Sequence, residues 1–503
     1  MKSALAFPVF LALAAAAWAQ TPGDAEACQS MLLLPNVTIT YAALRPSAGT
    51  TPQYCYVRGT IGATIRFHMQ LPLRANWNGR LLNIGDGGKD GVLNYGDNRL
   101  AQGYAVANSN SGHDAGAEPY ASFAADNLQA VIDFGYRAVH ETSVQAKAIV
   151  RAFYDRDPSL SYFVGCSDGG REALMEAQRY PDEFNGILAG APANNWSHLF
   201  TGFVWNEQAV LKTPASSIPP AKLPTIQNAV LAACDGLDGV QDGLLEDPRA
   251  CRFDPSLLLC KAADNSECLT AEQVETLKNI YAGPKNPRTG EQIFPGYPPG
   301  AEAAPGTWAA WITPEDPSRA IQFNFGNTYY GQAVFEDSTW DFRKLNFDSD
   351  VRFGDAKAGA VLNSTNADLR SFRAEGGKLL QYHGWGDAAI SALNSIDYYE
   401  NVQTFLSRFP DGRRTSVVLF PITDFYRLFM VPGMGHCGGG TGPNSFDALT
   451  PLEAWVEKGI APEEILAKGT NMTRPLCAYP KVARYKGSGD TNDASSFQCV
   501  APR

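Results

Sequence analysis

Ser161-Tyr-Phe-Val-Gly-Cys-Ser-Asp-Gly-Gly-Arg171 carries, in eleven residues, a short apolar run, a glycine-flanked corner and the start of an amphipathic segment. Within it, Gly165-Cys166-Ser167-Asp168-Gly169 is a G-x-S-x-G pentapeptide. Its glycines let the chain turn sharply enough to push a serine hydroxyl out of a strand-to-helix corner. The flanks suit that geometry, since Ser161 to Val164 reads as a buried strand and Arg171 to Tyr180 as the helix after it.

A serine so placed needs a base, and in sheets of this type the chain order is Ser, acid, His, with the base on a loop after the last strands. Of the six histidines only His436 lies far enough downstream, in Pro432-Gly-Met-Gly-His-Cys-Gly-Gly-Gly440. The acid is expected at Asp387, which follows the strand and turn Tyr382-His-Gly-Trp-Gly386. From there a carboxylate orients the imidazole and fixes its tautomer. Asp424 and Asp447 are the alternatives. Asp424 runs straight into strand-like chain and Asp447 stands at a helix start, so both read as surface or capping residues. Oxyanion donors must be backbone N–H groups near the serine. One is expected from Asp168, at the head of the elbow helix, and the other from Gly88, in the cluster Gly85-Asp-Gly-Gly88. Taken alone, that cluster reads as a plain turn; it is no phosphate loop, because no G-x-x-x-x-G-K-[ST] pattern is present.

Strand-like runs at Ile61 to Leu73, Arg80 to Ile84 and Gly103 to Ala107 precede the corner, as does a helical stretch from Val139 to Tyr154. Asn185 to Gly190, Gly377 to Tyr382 and Ser416 to Pro421 follow as further strands. Strands alternating with helices imply a mostly parallel sheet covered on both faces. The alternation breaks between residues 194 and 369, which are rich in Pro, Gly, Asn, Asp and aromatics. So long an interruption needs its own fold, and it is read as an inserted lid domain. The expected plan is therefore a signal peptide over 1–19, one α/β domain in two parts over 20–193 and 370–503, and the lid between them. Near the end, Thr450-Pro-Leu-Glu453 has the pattern of a capping box that starts a helix through Lys458.

The signal peptide rests on Lys2, the apolar run Ala4 to Ala17 and the small-residue site Ala17-Trp-Ala19. A run that short does not span a bilayer comfortably, so the mature protein is expected to be exported and soluble, secreted or periplasmic, with no membrane partner. Ten cysteines, all beyond the leader, favour five disulfides in an oxidising compartment. Nearness in sequence suggests Cys28–Cys55, Cys234–Cys251, Cys260–Cys268 and Cys477–Cys499, which leaves Cys166 for Cys437, although connectivity does not follow from sequence alone. The net charge of −11 gives no reason to expect a nucleic-acid partner. One acidic loop remains, Cys234-Asp-Gly-Leu-Asp-Gly-Val-Gln-Asp-Gly-Leu244. Its residues suit either an oxygen cage for Ca²⁺ or a run of Asp-Gly turns. It is no EF-hand, since Arg249 stands where a bidentate glutamate would be needed.

Four stretches, Gly165 to Arg171, Tyr382 to Asp387, Pro432 to Cys437 and Arg484-Tyr-Lys-Gly-Ser-Gly489, together resemble the tannase and feruloyl esterase family over nearly the whole mature chain. The paired Cys-Ser and His-Cys motifs are far more specific than G-x-S-x-G. The resemblance implies an α/β-hydrolase fold with a large inserted lid domain, and a Ser167, Asp387, His436 triad with oxyanion donors at Gly88 and Asp168. It also implies a Cys166–Cys437 bridge and structural calcium on Asp235, Asp238, Val240, Asp242 and Leu244. The substrate expected is a small ester of an aromatic acid, sandwiched by lid aromatics among Trp308, Trp311, Phe323, Phe325, Tyr329 and Tyr330. Phe325, Trp311, Arg319 and Ile390 are the substrate-binding candidates. Arg319 would answer a free carboxylate such as that of mono(2-hydroxyethyl) terephthalate, the alternative substrate. A binding protein without catalysis on the same scaffold is the alternative of another class.

Overall fold

The computed structural model describes residues 23–89, 91–116, 120–407 and 421–502. The expected leader, 1–19, and nearly all of the expected strand from Ser416 to Pro421 lie outside them. Nine strands form one sheet: β1 (Thr38–Arg45), β2 (Tyr54–Ile61), β3 (Ile65–Pro72), β4 (Arg80–Ile84), β5 (Ala105–Ser109), β6 (Leu160–Cys166), β7 (Gly186–Gly190), β8 (Lys378–Gly384) and β9 (Tyr426–Val431). Their order is β1-β2-β3-β5-β4-β6-β7-β8-β9. The first three strands are antiparallel and join β5 antiparallel, whereas β5, β4, β6, β7, β8 and β9 run parallel. The expected run from Ile61 to Leu73 is thus the end of β2, a turn and β3, the chain reversing at Gly62, whose φ of +61° a side chain would rarely tolerate.

Both faces of the sheet are covered. On one, Ala146, Ile149, Val150 and Phe153 of the helix Ala138–Tyr154 pack on Phe67, Met69, Ala105 and Ala107. On the other, Leu449, Leu452 and Trp455 of the helix Leu449–Lys458 pack on Leu82, Tyr162, Leu188 and Leu380. Each of the larger of these side chains contributes about 1.5–3 kcal/mol when taken out of water, so these two helices anchor the sheet. The second helix starts one residue before the expected capping box. Asp447 supplies the cap, accepting the N–H groups of Leu449 and Thr450 and the Thr450 hydroxyl.

Residues 191–377 leave the sheet after β7 and return at β8. They form helices, including Trp196–Val210, Leu223–Cys234, Ala271–Ala282 and Ile321–Thr328, with a core of their own around Ile226, Leu277, Ile280 and Trp308. The strands β4, β6, β8 and β9 belong to the parallel part of the sheet, and the loops that follow them carry Gly88, Ser167, Asp387 and His436.

Candidate active site

The corner after β6 is tight for steric reasons. The helix after it, Asp168–Arg179, starts immediately past Ser167 and not at Arg171 as expected. Gly169 and Gly170 read as helix breakers, yet they lie inside the helix because the backbone passes so close. A Cβ on Gly169 would sit 2.7 Å from the Asp86 carbonyl, and one on Gly170 2.4 Å from that of Gly190. Ser167 itself has φ 65° and ψ −118°, a conformation that costs roughly 1–3 kcal/mol for a residue with a side chain. It is held there because Ser167 N–H donates to the Gly190 carbonyl at 3.0 Å, and the Ser167 carbonyl accepts from Arg171 and Ala193 at 3.1 and 3.0 Å. Beneath it, Arg171 Nε donates to the Asp168 carboxylate at 2.5 Å, while the rest of that guanidinium caps the carbonyls of Phe134 and Gly135.

Three loops converge on the serine. Ser167 Oγ lies 2.8 Å from His436 Nε2, and His436 Nδ1 lies 2.8 Å from Asp387 Oδ2. Asp387 is buried, and its Oδ1 accepts the N–H groups of Ala389 and Ile390 at 2.8 and 2.9 Å. Burial pushes its pKa up, but the adjoining His436 charge and the hydrogen bonds from His383 and His436 outweigh it and hold the group well below the usual carboxylate range. Asp424 and Asp447 stand elsewhere, the first loosely paired with Arg373 at 3.7 Å and the second capping its helix. His383, which the sequence reading passed over, also reaches Asp387, with Nε2 3.2 Å from Oδ2. A disulfide joins Cys166 to Cys437 across 271 residues, so the neighbours of Ser167 and His436 are bonded to each other. The other four bridges are Cys28–Cys55, Cys234–Cys251, Cys260–Cys268 and Cys477–Cys499.

The serine opens into a cavity of about 330 Å³ lined by Gly87, Gly88 and Asp168 at its polar end. Trp196, Leu199, Phe200, Phe203, Trp311, Phe325, Ala389 and Ile390 form the apolar walls. Gly88 has φ +61°, and a Cβ there would meet the Phe325 ring at 3.4 Å, so glycine lets this loop approach both the serine and the inserted helix. Three of the four substrate-binding candidates, Phe325, Trp311 and Ile390, line the cavity. Arg319 does not. It is exposed on the turn Pro317–Arg319, which ends before the helix Ile321–Thr328 that carries Phe325. Of the six expected ring-sandwiching aromatics, Trp308, Tyr329 and Tyr330 are core residues and Phe323 packs against Phe342. The missing wall comes from the first helix after β7, where Trp196, Leu199, Phe200 and Phe203 recur at the i, i+3, i+4, i+7 spacing of one helical face. Lys89 is a further residue the sequence did not disclose. Burial pulls its pKa down to about 7 against the opposing charge of Asp168. Its Nζ donates to Thr328 Oγ1 at 2.9 Å and lies 4.8 Å over the Phe325 ring, tying the Gly88 loop to the inserted helix.

A strained serine, an imidazole and a buried carboxylate stand in one hydrogen-bonded line beside an apolar-walled cavity, an arrangement suited to acyl transfer. A model of the family described as tannase and feruloyl esterase matches residues 52–500. The chain belongs to the tannase and feruloyl esterase family. It is a carboxylic ester hydrolase. An uncharacterized esterase of Xanthomonas campestris pv. campestris is 40% identical over 96% of this chain and 93% of its own. Mono(2-hydroxyethyl) terephthalate hydrolase of Piscinibacter sakaiensis is 34% identical over 91% and 86%. Among solved structures, feruloyl esterase B from Aspergillus oryzae superposes with a TM-score of 0.83 at 27% identity, covering 95% of this chain and 100% of that one.

The acidic loop of the esterase lies in the insertion, away from the cavity. Asp235 accepts the N–H groups of Asp242 and Gly243, Asp238 that of Val240, and Asp242 that of Leu244. Burial, with Asp242 and Asp235 alongside, pushes the Asp238 carboxyl up to about 6, and burial raises Asp242 despite Arg474 Nη2 at 2.5 Å. Desolvated carboxylates repelling one another, beside the carbonyls of Val240 and Leu244, are oxygen donors of the kind that suit a divalent cation of the calcium type, although Arg474 already pairs with Asp242. Among the described residues the trio of acidic or thiol groups whose ligand atoms approach within 4.8 Å is Cys260, Asp264 and Cys268. Its sulfurs are consumed in a disulfide, and the carboxylates of the acidic loop stand further apart than that.

Proposed function

We propose that the esterase is exported and hydrolyses esters of planar phenolic acids, of the feruloyl or galloyl type, through an acyl-enzyme on Ser167. The observation carrying this reading is the line Asp387–His436–Ser167 at the polar end of a cavity walled by Trp196, Phe200, Trp311 and Phe325. Flat rings of that kind bury an aromatic acyl group and orient it face or edge on. Ser167 Oγ attacks the ester carbonyl carbon while His436 Nε2 takes the hydroxyl proton. His436 then returns that proton to the departing alcohol oxygen, and water repeats the sequence to release the acid and free serine. Asp387 keeps the imidazole in the tautomer that accepts at Nε2 and stabilises the imidazolium as it forms. The oxyanion of each tetrahedral intermediate faces the amides of Gly88 and Asp168. Asp168 suits that role because it opens its helix, and the first N–H groups of a helix have no partner within it.

Five disulfides suit an oxidising compartment, which supports export. The insertion that supplies Trp311 and Phe325 acts as the lid. Because Arg319 is exposed outside the cavity, a substrate with a free carboxylate finds no guanidinium among the described residues lining it, and neutral phenolic esters are favoured over the terephthalate half-ester. A panel of methyl ferulate, methyl gallate, chlorogenate and mono(2-hydroxyethyl) terephthalate checks this. The kcat/KM for the best phenolic ester should exceed that for the half-ester, and preference for the half-ester would overturn the assignment.

Calcium would be held by Asp235, Asp238 and Asp242 with the carbonyls of Val240 and Leu244. It would supply charge neutralisation and a cross-link, with no part in the chemistry. Chelation is expected to lower Tm by several degrees, because a ligand bound by the native state alone stabilises by mass action. Asp238→Ala should abolish the chelator effect, and a chelator-insensitive melting curve with no metal by elemental analysis would leave only the Asp-Gly turns.

A further inference from the structure

Resting on the triad reading above, we propose that His383 is a positioning residue of the same site, a neutral imidazole fixed as its Nε2–H tautomer that donates to Asp387 at Oδ2, the oxygen that His436 also contacts. The proton assignment follows from the partners. His383 Nε2 lies 3.2 Å from Asp387 Oδ2 and 3.0 Å from the Ile390 carbonyl, and an ionised carboxylate and a carbonyl only accept, so Nε2 carries the hydrogen. On the other side, Nδ1 lies 2.7 Å from Ser395 Oγ. That oxygen also accepts from Gln381 Nε2 at 2.6 Å, and opposite a neutral ring protonated at Nε2 the serine's own hydrogen is directed at Nδ1. The amide of Gln381 is oriented in turn by the Tyr426 hydroxyl on its Oε1. All four side chains are fully buried, so no bulk water competes for these bonds.

The consequence lies in the accounting at Asp387. Its Oδ1 accepts two backbone N–H groups and its Oδ2 accepts two imidazole N–H groups, which fills about the four sites a carboxylate offers. Without His383, one site of a buried anion is orphaned. Oδ2 then has only His436 to share its charge, and the imidazolium of His436 becomes easier to form. Ester attack needs His436 neutral, so the acidic limb of the kcat/KM profile should move to higher pH. The titratable groups facing His383, a residue of β8, are Asp387 on the loop that follows and, behind Gln381, Tyr426.

The test compares wild type, His383→Leu and His383→Gln, with Ser167→Ala as reference. His383→Leu is expected to lower kcat about tenfold to a hundredfold with KM within a factor of about three, as a slightly misplaced catalytic group does. Its acidic limb should rise by roughly half a pH unit to one unit, as expected when a charge loses a hydrogen bond. A glutamine side-chain nitrogen reaches about as far as the imidazole Nε2, so His383→Gln should recover most of both effects. Wild-type kcat and pH profile in His383→Leu would overturn the proposal while an inactive Ser167→Ala leaves the triad reading intact. A loss not recovered by glutamine and without a shifted limb would mean packing alone and would also overturn it. An active Ser167→Ala would instead sink the triad reading itself. Should His383→Leu fail to fold, nitrogen NMR of the imidazoles in the intact protein decides. A neutral ring protonated at Nε2 across pH 5–9 is expected, and an imidazolium or the Nδ1–H tautomer would refute the assignment.

Discussion

Ser167→Ala should lower kcat/KM for any ester substrate by about five to six orders of magnitude, with Tm changed by no more than a few degrees. The size follows from what else lines the cavity. Cys166 and Cys437 have no thiol, since their sulfurs are bonded to each other, and the Asp168 carboxylate is engaged by Arg171. Among the described residues lining the cavity no other nucleophile is at hand, and water held by His436 without a serine lacks the covalent intermediate. The small effect on stability follows from the hydrogen bonds that hold the corner. They run through the Ser167 backbone N–H and carbonyl, and alanine keeps both. Rates and melting curves measured on one preparation test both halves. Activity within a hundredfold of wild type would place the chemistry elsewhere.

Asp387→Asn is expected to cost about four orders of magnitude in kcat, the scale seen when a triad acid loses its charge but keeps its shape. The asparagine carbonyl would still accept from Ala389 and Ile390. Its NH₂ would then face His436 Nδ1, forcing that nitrogen to accept and putting the proton on Nε2. His436 would then meet Ser167 Oγ with a donor and be unable to take its hydrogen. The same NH₂ would also oppose the His383 Nε2–H. Asp424→Asn and Asp447→Asn should leave kcat unchanged, the latter weakening a helix cap at a cost of about 1 kcal/mol or less. A kcat for Asp387→Asn within tenfold of wild type would contradict the assigned acid.

Much of this site is legible in the chain because its chemistry is local. The corner around Ser167 is written in three glycines whose spacing has a steric cause, and His436 stands out because the other five histidines lie upstream of or beside the expected acid. What the sequence hides depends on packing between distant elements. Arg319 looks eligible by its distance from Phe325, but the helix begins at Ile321 and leaves the arginine on an exposed turn. Trp196, Leu199, Phe200 and Phe203 do carry a helical period, which points to one buried face without saying that the face borders the serine. Conversely, Trp308, Tyr329 and Tyr330 have the composition of a ring clamp and serve as core. His383 lies four residues before Asp387, within the very motif that marks the acid. Only the course of the loop after β8 turns that spacing into a contact.

The most direct test of the account is to quench wild-type protein milliseconds after mixing with an activated feruloyl ester, then map the digested protein by mass. One feruloyl group is expected on the peptide containing Ser167, appearing in a burst that matches the enzyme concentration and absent from Ser167→Ala. Steady turnover with no acylated peptide, or a feruloyl group on any other residue, would contradict nucleophilic catalysis by Ser167.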